Sequence, residues 1–425
     1  MALRQEPADL LYTDEDYVNS AGAPEQPNFK PAFSPEMLLS CMYLGHLLVI
    51  SRARLEQMGG FRSRFDGAQD HDAALRLLAE GGKFRHLPLV LYHWRRHKGS
   101  TAQSSAAKPY AHDAGHRAIQ EYLDQAGCQA EVEDGIGPNT HQVRWHAPPE
   151  IRRSIIVPSR TPALLKRCLE RLRATTADSN PEIVVVHHFT SSKRDREIEA
   201  LAELHRCRRM VYAGDFNYSR MCNLGARAAT GDCLVFINDD AWPVEASWLD
   251  RMAGHLGRPD VGVVGALLRY PDGAIQHAGI ALGMLHATGH IGRFLFDSHL
   301  FPWINYSRDV SAVSGACLSI RRDVFERCGG FDTDFPRSFN DIDLCLRVGE
   351  AGLAVIVDRT VELIHIEQAT RPSGQTSQER LLFLSRWYSQ VLKRDPCLSP
   401  HLSLDSEQPV LSSEHSPWRS GSGVR

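Results

Sequence analysis

From Arg153 onward, short β-branched runs alternate with segments whose apolar residues recur at helical spacing. That alternation constrains the fold more than any other feature, because a strand reaches a parallel neighbour only through a crossover, and a helix is the usual crossover. Strands are predicted at residues 154–157, 182–186, 210–212, 233–237 and 261–268. Pro162 opens a helix that buries Leu165, Cys168, Leu169 and Leu172. A charged helix follows through Ile198, Leu201 and Leu204, and Ser219 is expected to cap another that turns Met221, Leu224 and Ala228 inward. A further helix spans 248–256, and Pro271-Asp272-Gly273 is a strong turn signal. The expected class is α/β, with a Rossmann-like, mostly parallel sheet flanked by helices.

The chain also repeats part of itself. Gly45 precedes Gly60-Phe61 by fifteen positions, Asp70 and Asp72 follow, and His93 lies 23 positions after Asp70. Gly315 likewise precedes Gly330-Phe331 by fifteen, Asp341 and Asp343 follow, and His365 lies 24 positions after Asp341. In this reading Thr13-Asp14-Glu15-Asp16 corresponds to the acidic group Asn238-Asp239-Asp240 of the second copy. About a dozen residues precede the first group, so the early strands of that copy are expected to be missing and the copy to be a truncated remnant. The expected organisation is a partial module at 1–130, a linker at 131–150, a complete module at 151–395 and a loose tail at 396–425. A helix over about 377–393, with Leu381, Leu384, Tyr388 and Val391 on one side, is expected to pack back on the complete module.

A 425-residue chain with 43% hydrophobic and 23% charged residues can build two sizeable cores. With 48 basic against 51 acidic residues the net charge is -3, which excludes a global field for nucleic acid or anionic lipid. The ten cysteines form no C-x-x-C pair, which points to a reducing compartment and away from a disulfide framework or structural zinc. No basic-then-apolar leader opens the sequence, and the apolar stretch 37–50 is too short and too interrupted to cross a bilayer. The expectation is a cytoplasmic protein, at most peripheral to the inner face of a membrane.

Three places carry candidate chemistry. Asn238-Asp239-Asp240 ends the apolar run 233–237, where the ligands of open parallel sheets gather. Neighbouring side chains of extended chain point to opposite sides, so Asp240 can hold a cation while Asp239 reaches another part of a ligand. Oxygen ligands suit Mg2+ or Mn2+, either of which would neutralise a departing diphosphate; a solvated turn is the plain alternative. Asn340-Asp341-Ile342-Asp343 opens a helix with Ile342, Cys345, Leu346 and Gly349 inward. It reads as an N-cap or, beside an acidic partner motif, as the seat of a general base, Asp341. His365 follows apolar segments at 355–357 and 361–364 and reads either as a structural imidazole or as a further metal ligand. The segment Gln276-His277-Ala278-Gly279, after the Gly273 turn, either lines the site or is part of a buried hairpin, and is left unassigned.

Taken together, Ile156-Val157-Pro158-Ser159-Arg160, Phe216-Asn217-Tyr218-Ser219-Arg220, Asn238-Asp239-Asp240, Ser314-Gly315-Ala316-Cys317 and Asn340-Asp341-Ile342-Asp343 resemble the family 2 glycosyltransferases. The likeness is to bacterial tandem enzymes of the rhamnosyltransferase type that build surface polysaccharide. It runs through the second copy to Asp395-Pro396 and Leu402-Ser403-Leu404, while the first copy resembles only the latter half of that fold. The resemblance implies a GT-A fold and an inverting transfer of a sugar from a nucleotide-diphosphate sugar to a hydroxyl of a growing surface polysaccharide or glycolipid. It implies Asp240 and His365 on a divalent cation, Mn2+ or Mg2+, Asp239 near the ribose, and Asp341 as the base. It groups Pro158, Ser159, Arg160, His187 and Asn223 with the nucleotide, and Gly315, Ala316 and Asn340 with the acceptor. Where the family usually carries Asp, Asn, Gly and Ser after its second strand, this chain has His187, His188, Phe189 and Thr190. A neutral imidazole replaces a carboxylate acceptor only in the right tautomer, so His187→Asp is expected to tighten nucleotide binding. Two rival readings are a non-catalytic carbohydrate-binding or assembly module derived from such an enzyme, and a sugar-phosphate nucleotidyltransferase. The latter would open with a Gly-rich basic phosphate loop that residues 155–160 do not form.

Overall fold

The computed structural model describes residues 7–95, 109–296, 302–367 and 377–413. The chain divides into two units, one of Met1–Trp145, Ser298–Asp309 and Arg394–Arg425, the other of His146–Asp297 and Val310–Lys393. Among the described residues no helix is long and apolar enough to cross a membrane.

The first unit carries β1 (Leu10–Val18), β2 (Pro24–Asn28), β3 (Leu48–Ile50), β4 (Phe84–Arg95), β5 (Ala130–Asp134), β6 (His141–Trp145) and the short β16 (Arg308–Asp309). Its sheet runs β2-β1-β3, with β4 parallel to β1. Helices Gln69–Ala79 and Pro109–Gln125 bury Ala74, Leu75, Leu77, Ala118, Ile119 and Leu123 against Leu10 and Tyr12. The segment expected to be a linker at 131–150 is largely the antiparallel hairpin β5-β6, and its Val132 and Trp145 close this core. The Gly and Pro signals mark the hairpin's turn, where the Gly135 amide donates to the Thr140 carbonyl. The expected loose tail is also partly folded: Leu398 and Leu402 are buried, and the His401 ring contacts the Pro88 carbonyl at 3.0 Å.

The second unit holds β7 (Arg153–Ser159), β8 (Glu182–His188), β9 (Arg208–Tyr212), β10 (Cys233–Ile237), β11 (Ala241–Pro243), β12 (Val261–Arg269), β13 (Ile275–His277), β14 (Ile280–Leu282), β15 (Thr288–His290), β17 (Cys317–Arg321) and β18 (Ala354–His365). The sheet order is β11-β18-β12-β17-β10-β7-β8-β9, with β13 beside β12. Strands β9, β8, β7 and β10 are mutually parallel, and β12 and β18 are parallel to each other. Because β17 runs antiparallel to both β10 and β12, these parallel sets share one direction and end at one edge. The predicted α/β class holds. The two apolar segments at 355–357 and 361–364 join in the single strand β18, whose register shifts between Ala266 and Leu267 of its partner.

Strand alternation splits the core. Ile156, Val184, Val186, Leu234 and Phe236 face one layer with Met221 and Cys222 of the helix Tyr218–Ala228. Ile155, Val157, Ile183, Val185 and Val235 face the other with helices Pro162–Thr175 and Trp248–Leu256. Gly225 sets the first approach: a β-carbon there would stand 2.4 Å from Cγ2 of Ile156. Asn217, not Ser219, caps the Tyr218 helix by accepting from the Arg220 amide, while the Ser219 hydroxyl donates to the Phe335 carbonyl.

The helix Ser377–Leu392 packs on the second unit through part of the predicted side, with Leu384 and Val391 against the core, and through residues outside it. Phe383 and Trp387 are buried, whereas Leu381 and Tyr388 are 67% and 58% exposed. Polar anchors set that rotation: the Trp387 indole donates to Asp343 at 3.0 Å, and Glu379 accepts from the amides of Arg337 and Ser338.

The strand pattern of the repeat also differs from the expected alignment. In the second unit β13 and β17 flank β12 antiparallel and β18 pairs with it in parallel. In the first unit β2 and β3 flank β1 antiparallel and β4 pairs with it in parallel. β1 therefore corresponds to β12, and Asp14 and Asp16 lie inside that strand instead of following an earlier one as Asp239 and Asp240 do. The repeated Gly and second Asp are structural. Gly59-Gly60 and Gly329-Gly330 all have positive φ. Arg76 closes the first turn on the carbonyls of Met58 and Gly60 while pairing with Asp72. Arg347 closes the second on Cys328 and Gly330 while pairing with Asp343.

Candidate functional site

The central parallel strands deliver the acidic group to the sheet's carboxyl edge. β10 ends at Ile237, opposite Cys317, and the Asn238 amide then donates to the Ala316 carbonyl at 3.1 Å. The chain turns into β11, whose Ala241 pairs with His365 at the end of β18. Asp239 and Asp240 take different partners, as alternation in extended chain requires. The Asp239 carboxylate accepts from the Ser159 hydroxyl at 2.7 Å, while Oδ1 of Asp240 stands 3.1 Å from Nε2 of His365.

The chemistry of this second pair suits a divalent cation. His365 Nδ1 lies 2.6 Å from Oε1 of Gln276, so that nitrogen carries the proton and donates it to an amide oxygen that can only accept. In the neutral ring Nε2 then presents a lone pair toward a carboxylate oxygen, and two such atoms call for an electrophile between or beside them. Among the described residues no cluster of three or more metal-binding side chains exists. One carboxylate and one imidazole fit an ion whose remaining positions go to phosphate oxygens and water.

Asp341 lies across this edge. Phe339, in the left-handed region at φ 63, turns the chain into the helix Asn340–Glu350. Oδ1 of Asp341 accepts from the Ile342 amide at 2.9 Å and Oδ2 from the Gly315 amide at 2.7 Å. The Gly315 carbonyl accepts from the Tyr218 hydroxyl at 3.0 Å. A β-carbon at Gly315 would stand 3.3 Å from that of Asp341, a tight contact that would press on the carboxylate-bearing side chain. Asp240, His365, Asp341, Gly315 and Ala316 are thus linked through a continuous set of contacts at one rim.

The remaining sequence-predicted residues divide. Pro158 and Ser159 end β7, and the Arg160 guanidinium lies 5.5 Å above the Phe216 ring. Asn223 is engaged internally: its amide exchanges two hydrogen bonds with the backbone of Phe331 and staples the Gly330 turn to its helix. Asn340 is likewise engaged internally, donating to the Phe335 carbonyl and accepting from the Asp341 amide. His187 is fully buried, with Nδ1 2.9 Å from an Asp195 carboxylate that also pairs with Arg209. Burial pushes its pKa down against the pull of Asp195. The neutral ring donates from Nδ1, and Nε2 is a buried acceptor with no hydrogen-bond partner among the described residues.

Two residues of the segment left unassigned in the sequence stand beside these candidates. Gln276 clasps His365 at both its ring and its carbonyl, the latter at 3.3 Å. His277 accepts from the Ser314 amide at 3.2 Å through Nε2, and its Nδ1 lies 3.0 Å from Nδ1 of His290. The one signal was their place just after the Gly273 turn, which says nothing of which strand the hairpin folds against.

A mostly parallel, helix-flanked sheet with an acidic group at the carboxyl end of its central strand, faced by an aspartate on a following helix, defines a GT-A domain. Residues 154–329 match the family described as Glycosyl transferase family 2. The O-antigen biosynthesis protein RfbC of Myxococcus xanthus is 36% identical over 410 residues, covering 95% of this chain and 32% of that protein. Protein y4gI of Sinorhizobium fredii is 34% identical over 425 residues, covering 96% of this chain and 46% of its own length. The N-acetylglucosaminyl-diphospho-decaprenol L-rhamnosyltransferase of Mycobacterium tuberculosis is 31% identical over 121 residues, or 25% of this chain and 38% of that enzyme. The chain thus spans between about a third and a half of the length of the curated relatives it matches.

Proposed function

We propose that this chain transfers a sugar from a nucleotide-diphosphate sugar to a hydroxyl of a growing surface polysaccharide or glycolipid, with inversion and with a divalent cation, Mn2+ or Mg2+. What supports the reading is that the Asp240–His365 pair follows β10 at the sheet's carboxyl edge, where the Asn238 amide bonds Ala316, the neighbour of the Gly315 that holds Asp341. Asp239 and Ser159 bind the nucleoside end, and Arg160 adds positive charge there. Asp240 and His365 hold the cation, which when bound neutralises charge developing on the departing diphosphate. Asp341 accepts the acceptor hydroxyl's proton as its oxygen attacks the anomeric carbon from the side opposite the leaving group. The Gly315 amide keeps that carboxylate in one orientation.

The nature of the acceptor is read from the Myxococcus relative's printed role in O-antigen biosynthesis, and it implies work at the cytoplasmic face of a membrane. The first unit is read as the latter half of a second copy of the fold and not as a second transferase. Beside its Gly45 lie the buried Lys30 ammonium and Glu15, each 3.2 Å from where a β-carbon would be, so the counterpart of the Asp341 pocket is filled.

The test is incubation of the full chain with Mn2+ and a panel of nucleotide sugars, following nucleoside diphosphate release. Release from at least one donor, lost on chelation, is expected. Glycan binding without release from any donor would favour the non-catalytic module instead.

A further inference from the structure

We propose that Gln276 is a positioning residue that turns the Nε2 lone pair of His365 toward Asp240 and so sets the affinity of that pair for a divalent cation. The inference rests on the cation-assisted reading above.

Gln276 is buried on β13, which lies antiparallel to β12. Its amide has one arrangement that satisfies its surroundings. The nitrogen faces two acceptors, the His365 carbonyl at 3.3 Å and Oε2 of Glu367 at 3.5 Å. The oxygen is left to face Nδ1 of His365 at 2.6 Å. An imidazole that donates from Nδ1 keeps Nε2 unprotonated in its neutral form, and Nε2 is the atom 3.1 Å from Asp240. The other tautomer would set a lone pair against the amide oxygen and point an N–H where the cation belongs.

Gln276 is itself braced. The Glu367 carboxylate is gripped by the Arg293 guanidinium, at 2.7 and 2.6 Å to its two oxygens, and accepts from the Tyr270 hydroxyl at 2.7 Å. Glu367 is thereby held where the amide nitrogen needs an acceptor, and the chain of contacts Arg293, Glu367, Gln276, His365, Asp240 runs without a break. Partners on the second nitrogen of a ligating histidine fix its orientation, and removing them typically weakens metal binding about 10- to 100-fold.

The experiment measures Mn2+ uptake by the full chain from the electron paramagnetic resonance of free Mn2+, with and without uridine diphosphate, for wild type, Gln276→Met and Gln276→Leu. Circular dichroism of each variant accompanies it. Both substitutions remove the amide, and the methionine keeps its length. A loss of affinity of about 10- to 100-fold in folded variants is expected. Separately, 15N chemical shifts of histidine-labelled wild type, with His365 assigned through His365→Gln, should show the Nδ1–H tautomer before Mn2+ is added. Folded Gln276→Met with unchanged Mn2+ affinity, or an Nε2–H tautomer in wild type, overturns the role of Gln276 and leaves the transferase reading standing. Wild type that takes up no Mn2+ under either condition overturns both.

Discussion

The amide of Gly315 donates to Oδ2 of Asp341 at 2.7 Å, while Oδ1 of the same carboxylate accepts from Ile342, its own neighbour in the helix. The N-cap-like and the catalytic readings of Asp341 are therefore both compatible with one geometry. Asparagine at this position can still accept from Gly315 but cannot take a proton from an acceptor hydroxyl. Asp341→Asn is expected to lower turnover about 10^2- to 10^4-fold with donor affinity nearly unchanged. Steady-state kinetics paired with calorimetry of donor binding checks this; full turnover by the variant would remove Asp341 as the base.

Asn223 exchanges two hydrogen bonds with the Phe331 backbone, which engage both ends of its side-chain amide. Asn223→Ala leaves a backbone N–H and carbonyl without their partner, a loss of roughly 1–3 kcal/mol. Thermal unfolding should show a midpoint lower by several degrees, with the donor KM of the residual folded enzyme unchanged. A raised KM at constant stability would return Asn223 to the nucleotide site.

His187 faces the Asp195 carboxylate at 2.9 Å inside the protein, which reverses the outcome anticipated for His187→Asp. A carboxylate there meets a second carboxylate in a buried setting, with Arg209 as the charge that must serve both. The variant is expected to be destabilised by a few kcal/mol, on the scale of a disrupted buried ion pair, and not to bind nucleotide more tightly. Urea unfolding together with nucleotide calorimetry decides; tighter binding at unchanged stability would refute the burial argument.

Asp358 and His255 form a buried contact of 3.2 Å in the second unit, and Thr360 adds hydrogen bonds from its amide and hydroxyl to the same carboxylate. Burial alone would raise the Asp358 pKa, but His255 and Thr360 hold it down at about 2. A carboxyl whose folded value is depressed stabilises the fold above its unfolded value, near 4, and loses that contribution as pH falls toward the folded value. The contribution is on the order of 2 kcal/mol. Wild-type stability to urea should fall between pH 4 and about 2, and Asp358→Asn should be less stable at neutral pH with a flatter acid limb. Parallel acid limbs would discount this pair.

Sheet class, strand positions and the edge that carries chemistry were legible because they depend on local patterns. β-Branched runs became β7, β8, β9, β10 and β12, and Asp239 and Asp240 follow the expected strand. The errors arose where tertiary partners decide. The repeated spacings fall on similar strand ladders, but Asp14 and Asp16 lie in a strand that matches β12, because spacing does not reveal which strand a neighbour pairs with. The Asp-x-Asp signal mixed two roles, since Asp343 pairs with Arg347 and Arg386 while Asp341 faces Gly315. The C-terminal helix turned by its bonds to Asp343 and to the Arg337 and Ser338 amides, contacts that no periodicity encodes. Gln276 and His277 stayed unassigned for the same reason: what they touch, at His365 and Ser314, is far away in the chain.

The ladder in which β13 and β17 flank β12 beside β18 recurs as β2 and β3 flanking β1 beside β4, and among the described residues of the first unit no counterpart of β7 to β10 joins it. The ladder around β12 and β18 thus closes its own hydrogen bonds, and it is expected to keep its pairing whether or not further parallel strands extend the sheet beside it.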